Sequence, residues 1–298
     1  MATVPFIFIH IGNEYFPEYV NIALEQCRKW NPYNIIYFIA LSKYKENITC
    51  TNVSYISLEE ISVSDIRTHF VNNSKLDMEF RNGFWRYTTE RLFVLYDFCT
   101  QNNIDEFIHL ENDNMVYFSI NNIINTFRET VHGISSTALS REENTFGIFY
   151  CNTLEILHNF LLFLVTNNSG ANEMVLGSKF FITHSENCKF LPSIPPIDDN
   201  ISEKDLQFIS NRINEFGGIF DPAQYGQWLG GIDPRNGESK PFMFSNSNAI
   251  IHCDNFQYDI QEETNNYKRY YINYFDKNIR YPIYILHIHS KKLDKFFI

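Results

Sequence analysis

Continuous apolar runs alternate with apolar residues at helical spacing through the first half of the chain, and their order predicts the architecture. Phe6-Ile-Phe-Ile-His-Ile runs without polar alternation into Gly12-Asn13, the pattern of a strand buried on both faces that feeds a loop. A helix follows, with Pro17 suited to its first turn, Val20, Ala23, Leu24 and Cys27 on one stripe, and Asn31-Pro32 as its stop. Asn34-Ile-Ile-Tyr-Phe-Ile-Ala-Leu is a second buried strand, which completes a right-handed β-α-β unit. A short strand at Val53–Ile56, a helix from about Asp65 and a helix over Phe84–Cys99 lead to the strand Glu106-Phe-Ile-His-Leu.

Beyond it, the pattern predicts a helix at Ile120–Phe127 and strands at Gly133–Thr137 and Phe146–Cys151. A helix from its N-cap Thr153 through Val165 comes next, then another from near Asn172. Leu191–Asn200, with three prolines, reads as a loop, and Gly217–Gly237 is rich in Gly and Pro without periodicity. Tyr281-Pro-Ile-Tyr-Ile-Leu-His-Ile-His reads as a late strand with both histidines on one face. The fold class is α/β, a mostly parallel central sheet flanked by helices in a single large domain. No repeat or composition break marks a linker.

Composition narrows the functions open to such a fold. A chain of 298 residues that is 44% hydrophobic, with 28 Phe and 18 Tyr, folds. Its net charge of −11 leaves no basic field for a nucleic-acid backbone, so nucleic acid is excluded as a partner, and a phosphate-bearing ligand calls for a cation. No apolar run approaches the ~20 residues of a membrane span, and the start of the sequence has no signal-peptide pattern, so the expectation is a cytoplasmic protein. The six cysteines form no C-x-x-C pair and read as reduced thiols. The abundance of Asn, Ile, Phe and Tyr is what an AT-rich coding sequence produces, as in large DNA viruses and some protists and bacteria.

The candidate chemistry gathers after the central strand. Glu111 and Asp113 alternate on an extended segment at its carboxyl end, where ligands of open α/β sheets bind, and oxygen donors suit Mg²⁺ or Mn²⁺. An exposed acidic turn would have the same sequence. His287-x-His289-Ser-Lys291-Lys292 offers imidazoles and two cations able to complete a metal site and neutralise a diphosphate. Arg86 and Glu90 are spaced as an i,i+4 surface pair, whereas Arg91 shares a stripe with Leu92 and Leu95 and needs a carboxylate or phosphate there. The Gly217–Gly237 segment mixes carboxylates, amides and aromatics in the manner of sugar-binding loops. Glu173, at a helix start, suits the helix dipole or a site.

Taken together, these residues resemble the GT-A-fold glycosyltransferases that use nucleotide sugars, and distantly the glycogenin-like ones. His109-Leu-Glu-Asn-Asp resembles their D-x-D motif in the variant E-x-D. The resemblance implies that Asp113 binds the metal directly, that Glu111 contacts metal or nucleotide through water, and that Asn112 approaches the ribose. His10, Ile11 and Gly12 match the base-binding loop, and Tyr87-Thr-Thr-Glu-Arg91 looks like the Y-x-x-x-R helix whose arginine contacts the nucleotide sugar. Gly147-Ile-Phe-Tyr-Cys-Asn152 and Asn172-Glu-Met are similar to the F-N-x-G strand and D-Q-D helix start, without being literal matches. The C-terminal segment resembles a shortened H-x-x-G-x-x-K motif, which places His287 or His289 on the metal and Lys291 and Lys292 on the diphosphate.

The implied activity is metal-dependent transfer of a sugar from a nucleoside diphosphate donor, a UDP-sugar, to a glycan or protein acceptor, with Mn²⁺ or Mg²⁺ as cofactor. Glu173, Asp221 and Asp233 are the candidate catalytic carboxylates, and Arg86, Arg91 and Gly231 join the nucleotide-sugar set. Residues 1–118 would form the nucleotide-binding half and 119–298 the sugar and acceptor half. A binding pseudoenzyme on this fold and a metal-dependent phosphohydrolase are the alternatives.

Overall fold

The computed structural model describes residues 3–12, 15–194, 208, 212–237, 239–262, 267–274 and 277–298. The predicted loop beyond Ile194 lies outside these residues. β1 (Phe6–Ile9), α1 (Tyr19–Trp30), β2 (Ile36–Ala40) and β3 (Ser54–Ser57) form the opening parallel unit. Then follow α2 (Asp65–Asn73), α3 (Phe84–Asn102), β4 (Phe107–Leu110), β5 (Asn114–Val116) and α4 (Ile120–Thr130). After α4 come β6 (Ile134–Ala138), β7 (Asn144–Cys151), α5 (Leu154–Thr166), α6 (Glu173–Thr183) and β8 (Cys188–Phe190).

The central sheet has seven strands in the order β3-β2-β1-β4-β7-β6-β8, parallel except where β7 runs against β4 and β6. Its mostly parallel make-up is what the uninterrupted apolar runs predict. Phe6 and Phe8 enter the core on one face, with Val20 and Leu24 of α1, while Ile7 and Ile9 enter the core on the other, with Leu92 and Leu95 of α3. Both faces are covered, and each such side chain stabilises the fold by roughly 1.5–3 kcal/mol relative to exposure. Thr153 occupies the predicted N-cap position of α5, but its hydroxyl donates to Asn152 instead of capping the helix. All six cysteines are buried free thiols.

The chain from β1 turns to β2 on one side and later returns to β4 on the other, so the carboxyl ends of β1 and β4 lie side by side and open a crevice. A second sheet closes it. β9 (Ile219–Phe220), β10 (Phe256–Glu262), β11 (Lys268–Tyr274) and β12 (Lys277–His287) follow in sequence, and this sheet runs β10-β11-β12-β5 with β9 beside β12. The late strand is thus longer at its start than predicted and ends at His287, so His289 falls in the following turn and not on the strand face. The Gly217–Gly237 segment is not aperiodic throughout: it carries β9 and a short helix at Tyr225–Gly230.

Candidate active site

The pairing of β12 with β5 builds the site. His287 pairs with Asn114, and the amide of Ile288 donates to the carbonyl of Asp113 at 2.9 Å, so the C-terminal strand is locked to the acidic turn after β4. Glu111, Asp113 and His287 each turn a ligand atom inward, all within 4.8 Å of one another. His287 Nε2 lies 3.1 Å from Glu111 Oε2 and 3.2 Å from Asp113 Oδ1. Lys291 pairs with the second oxygen of Asp113, and Arg91 pairs with Glu111, the carboxylate that its place on an apolar helical stripe called for.

Burial raises the Asp113 and Glu111 carboxyls, but the cations outweigh it: His287 and Lys291 hold Asp113 well below the usual carboxylate range, and Arg91 with His287 does so for Glu111. Burial likewise lowers His287, yet Asp113 and Glu111 prevail and raise its imidazole to about 10. His289 meets the His287 ring edge-on at 4.5 Å. Burial, with His287 and Lys291 beside it, pushes His289 down to about 3, so it is neutral. Of the two histidines, the structure brings His287 to the carboxylates and leaves His289 behind it.

These groups line a cavity of about 870 Å³. Its floor on one side is the loop after β1, where Ile11 and Gly12 line it and His10 folds back to within 3.2 Å of the Tyr15 carbonyl. A Cβ on Gly12 would stand 2.7 Å from the His10 ring and would push the ring from this position. Asn112 ties the two strand ends together by donating to the Ile9 carbonyl at 2.9 Å, and its buried Oδ1 has no partner among the described residues. On the far side Glu173, capped into position by Asn172 at the start of α6, is buried, and burial pushes its carboxyl up against the pull of Thr89 and Arg91. Asp233 lines the cavity beside Arg235 and Arg81; burial raises its carboxyl, but the hydrogen bonds from Arg235 and the charge of Lys291 outweigh it and hold the carboxyl below its ordinary value.

Four predicted residues stand elsewhere. Arg86 does not line the cavity: it donates to the Val71 carbonyl at 2.7 Å and covers the Phe70 ring. Its expected partner Glu90 is taken by Arg67 at 3.1 Å, an ion pair that helical spacing alone does not foresee. Asp221 is buried and does not line the cavity; it accepts from the amides of Gln224, Tyr225, Gly226 and His287 and so fixes the backbone that carries His287. Gly231 ends the short helix with open space around it, and Lys292 is exposed; neither lines the cavity. Sequence reasoning passed over Phe80, Arg81 and Trp85, all of which do, and Arg235, from the loop assigned to sugar binding, lines it as well. The Asn82-Gly83 turn signal was the available hint.

The donor set fits a hard divalent cation. Two carboxylates and one imidazole converge, a mixed oxygen and nitrogen donor set, with Lys291 and Arg91 paired to the carboxylates. The lining as a whole carries five acidic and five basic side chains among the described residues, in a chain with 35 acidic and 24 basic. The cavity lining is therefore balanced in charge within a chain that is strongly acidic, which lowers the repulsion an anionic ligand would meet there.

No family model matches the chain, and its sequence shows no significant similarity to a curated protein. Solved structures do resemble it. Mouse xyloside xylosyltransferase 1 superposes with a TM-score of 0.50 over 70% of this chain and 93% of its own, at 10% identity. The galactosyltransferase LgtC gives 0.37 over 59% and 70% at 13% identity, and GlyE of Streptococcus pneumoniae gives 0.39 over 63% and 45% at 12% identity. The superposition on the xylosyltransferase gives the chain the GT-A fold, one α/β domain with its crevice at the β1 and β4 ends. Among the described residues no helix is long and apolar enough to cross a membrane.

Proposed function

We propose that the chain is a metal-dependent glycosyltransferase that moves a sugar from a UDP-sugar to an acceptor hydroxyl. The observation that carries the reading is the convergence of Glu111, Asp113 and His287, with Lys291 and Arg91 beside them, inside a cavity at the switch point of the central sheet. Asp113, Glu111 and His287 would hold Mn²⁺ or Mg²⁺, which supplies charge stabilisation for a leaving diphosphate. The uridine base is carried over from the family resemblance, with His10, Ile11 and Gly12 as its loop and Asn112 Oδ1 free to accept from a ribose hydroxyl. Residues 1–118 then serve the nucleotide, and 119–298 the sugar and acceptor.

In the reaction, the bond between the anomeric carbon and the β-phosphate oxygen breaks and its electron pair leaves with the diphosphate. The acceptor oxygen bonds to that carbon, and its proton passes to a diphosphate oxygen or to Asp233. Lys291, held at the cavity wall in the left-handed region (φ 61°), places its ammonium beside the site of growing negative charge. Glu173, held toward its neutral form, orients a donor hydroxyl.

Thermal unfolding with UDP, GDP and CDP, each with and without Mn²⁺, tests the reading without an acceptor. UDP should raise the midpoint only when Mn²⁺ is present, and Asp113→Ala should abolish the shift. A shift with none of the nucleotides, or one indifferent to metal and to Asp113, would overturn it. Release of phosphate from simple esters without an acceptor would favour a phosphohydrolase instead.

A further inference from the structure

Beside the acidic cluster, the cavity wall includes Phe80, Arg81, Trp85, Arg235 and Asn236, to which the donor reading assigns no role. Arg81, Asn82 and Gly83 adopt φ of 47°, 56° and 83°, three left-handed residues in succession just before α3. Such a backbone is unfavourable for the first two and needs tertiary contacts to hold it. Those contacts cross the cavity. The Arg81 guanidinium reaches Asp233 at 3.5 Å and the side-chain oxygen of Asn236. It also lies 5.3 Å from the centre of the Phe80 ring. Arg235 forks Asp233 from the other side and lies 5.9 Å from the Phe84 ring.

The strained turn thereby brings an aromatic cluster to the cavity wall, with the Arg81 guanidinium over the Phe80 and Phe84 rings. Phe80 and Trp85 lie within 8° of parallel, with Phe84 edge-on to both, and all three line the cavity. Phe80 remains 42% exposed although apolar neighbours surround it. Flat apolar rings bordered by a carboxylate, an amide and guanidinium groups match one ligand chemistry well. A sugar ring has an apolar C–H face for the rings and vicinal hydroxyls for planar polar groups.

We infer that this shelf is the acceptor subsite and that the acceptor is a glycan, its terminal ring stacked on Phe80 and Trp85 and its hydroxyls held by Asp233, Asn236 and Arg81. The inference rests on the glycosyltransferase reading and narrows its acceptor from glycan or protein to glycan. A peptide on the shelf and a nucleobase on the shelf are the two rival occupants, and each predicts a different outcome.

The test is binding of the full chain, with UDP and Mn²⁺ present, to a printed array of glucose-, galactose-, mannose-, xylose- and N-acetylglucosamine-terminated glycans. Binding to at least one class is expected, and Phe80→Ala and Trp85→Ala should each weaken it by roughly tenfold while leaving the UDP·Mn²⁺ midpoint shift intact. Phe80 is exposed, so its removal should leave the metal-free midpoint unchanged. Arg81→Gly, which suits the left-handed backbone, provides a second variant that should fold and bind glycan more weakly. An intact UDP·Mn²⁺ shift with no glycan bound would overturn the glycan assignment in favour of a peptide. A UDP·Mn²⁺ shift lost in Phe80→Ala and Trp85→Ala would overturn the acceptor assignment in favour of a nucleobase. Absence of that shift in the wild-type chain would instead sink the glycosyltransferase reading itself.

Discussion

His287 Nε2 stands 3.2 Å from Asp113 Oδ1 because the last strand pairs His287 with Asn114, the residue next to that carboxylate. The imidazole fills the place between two carboxylates and is held up to about 10, above its ordinary ~6.5. The folded value exceeds the unfolded one, so His287 stabilises the metal-free fold fully below pH ~6.5, and that contribution is lost as pH rises through about 10. A cation on the same three residues requires the neutral ring and must displace its proton. Mn²⁺ affinity should therefore rise about tenfold per pH unit through neutrality. Calorimetry in buffers of different ionisation enthalpy should read about one proton released per ion bound at neutral pH. Full affinity at pH 6 with no proton released would remove His287 from the ligand set.

The ring of His287 also has a backstop. A Cβ added to Gly147 on β7 would lie 2.8 Å from His287 Nδ1, and Gly147 is not in the left-handed region, so alanine strains the imidazole and not the backbone. Gly147→Ala should lower Mn²⁺ affinity by roughly 10–100-fold, the usual effect of disturbing a ligand from behind, with a nearly unchanged metal-free midpoint. Titration of both proteins with Mn²⁺ beside a thermal scan decides it. Equal affinities would mean that the ring moves freely without cost to the site.

Asp221 tests the opposite case, a carboxylate that matters to the site without reacting. It accepts four backbone amides, one of them from His287, and is 1% exposed. Asp221→Ala strands those donors and should cost about 3–5 kcal/mol of stability by denaturant titration. Gly226 belongs to the same knot, since a Cβ there would sit 1.9 Å from the His287 carbonyl oxygen. A stable Asp221→Ala chain that binds UDP·Mn²⁺ yet fails in transfer would restore Asp221 as a reacting group.

What the sequence revealed and what it hid follow the range of the forces involved. β1, β2, β4 and β7 were legible because both their faces are buried, which writes an unbroken apolar run into the chain. The acidic turn was legible because it directly follows one of those runs. β10 and β11 were missed: only alternate residues such as Phe256, Tyr270 and Ile272 are buried, so the two strands pair with each other without carrying an unbroken apolar run. The three residues of β5 are too few for any period, and their strand partner β12 lies at the far end of the sequence. Glu90 was assigned to its helical neighbour Arg86, yet Arg67 of another helix supplies a shorter route to a buried pair. Asp221 and Asp233 look alike in sequence, and tertiary contacts alone separate an amide anchor from a cavity wall.

Glu173 offers the sharpest separation of chemical roles. The Thr89 hydroxyl lies 2.6 Å from Glu173 Oε2 and 2.9 Å from the Trp85 carbonyl, and its single proton can serve only one of them. Burial pushes the Glu173 carboxyl up, and a neutral Glu173 that donates to Thr89 lets Thr89 donate to Trp85, which satisfies both contacts. Glu173→Gln keeps that donor and should retain transfer within about threefold, whereas Glu173→Ala should lose on the order of 100-fold. The sign of the pH effect follows from the raised value. The folded chain holds a proton that the unfolded chain releases near pH ~4.3, so wild-type stability falls as pH climbs through the folded value, and Glu173→Gln removes that slope. Midpoints of the two proteins compared from pH 4 to 8 should diverge as the pH rises, with the glutamine variant the more stable at the top. Parallel curves, together with an inactive Glu173→Gln that still binds UDP·Mn²⁺, would instead make Glu173 an ionised base or nucleophile.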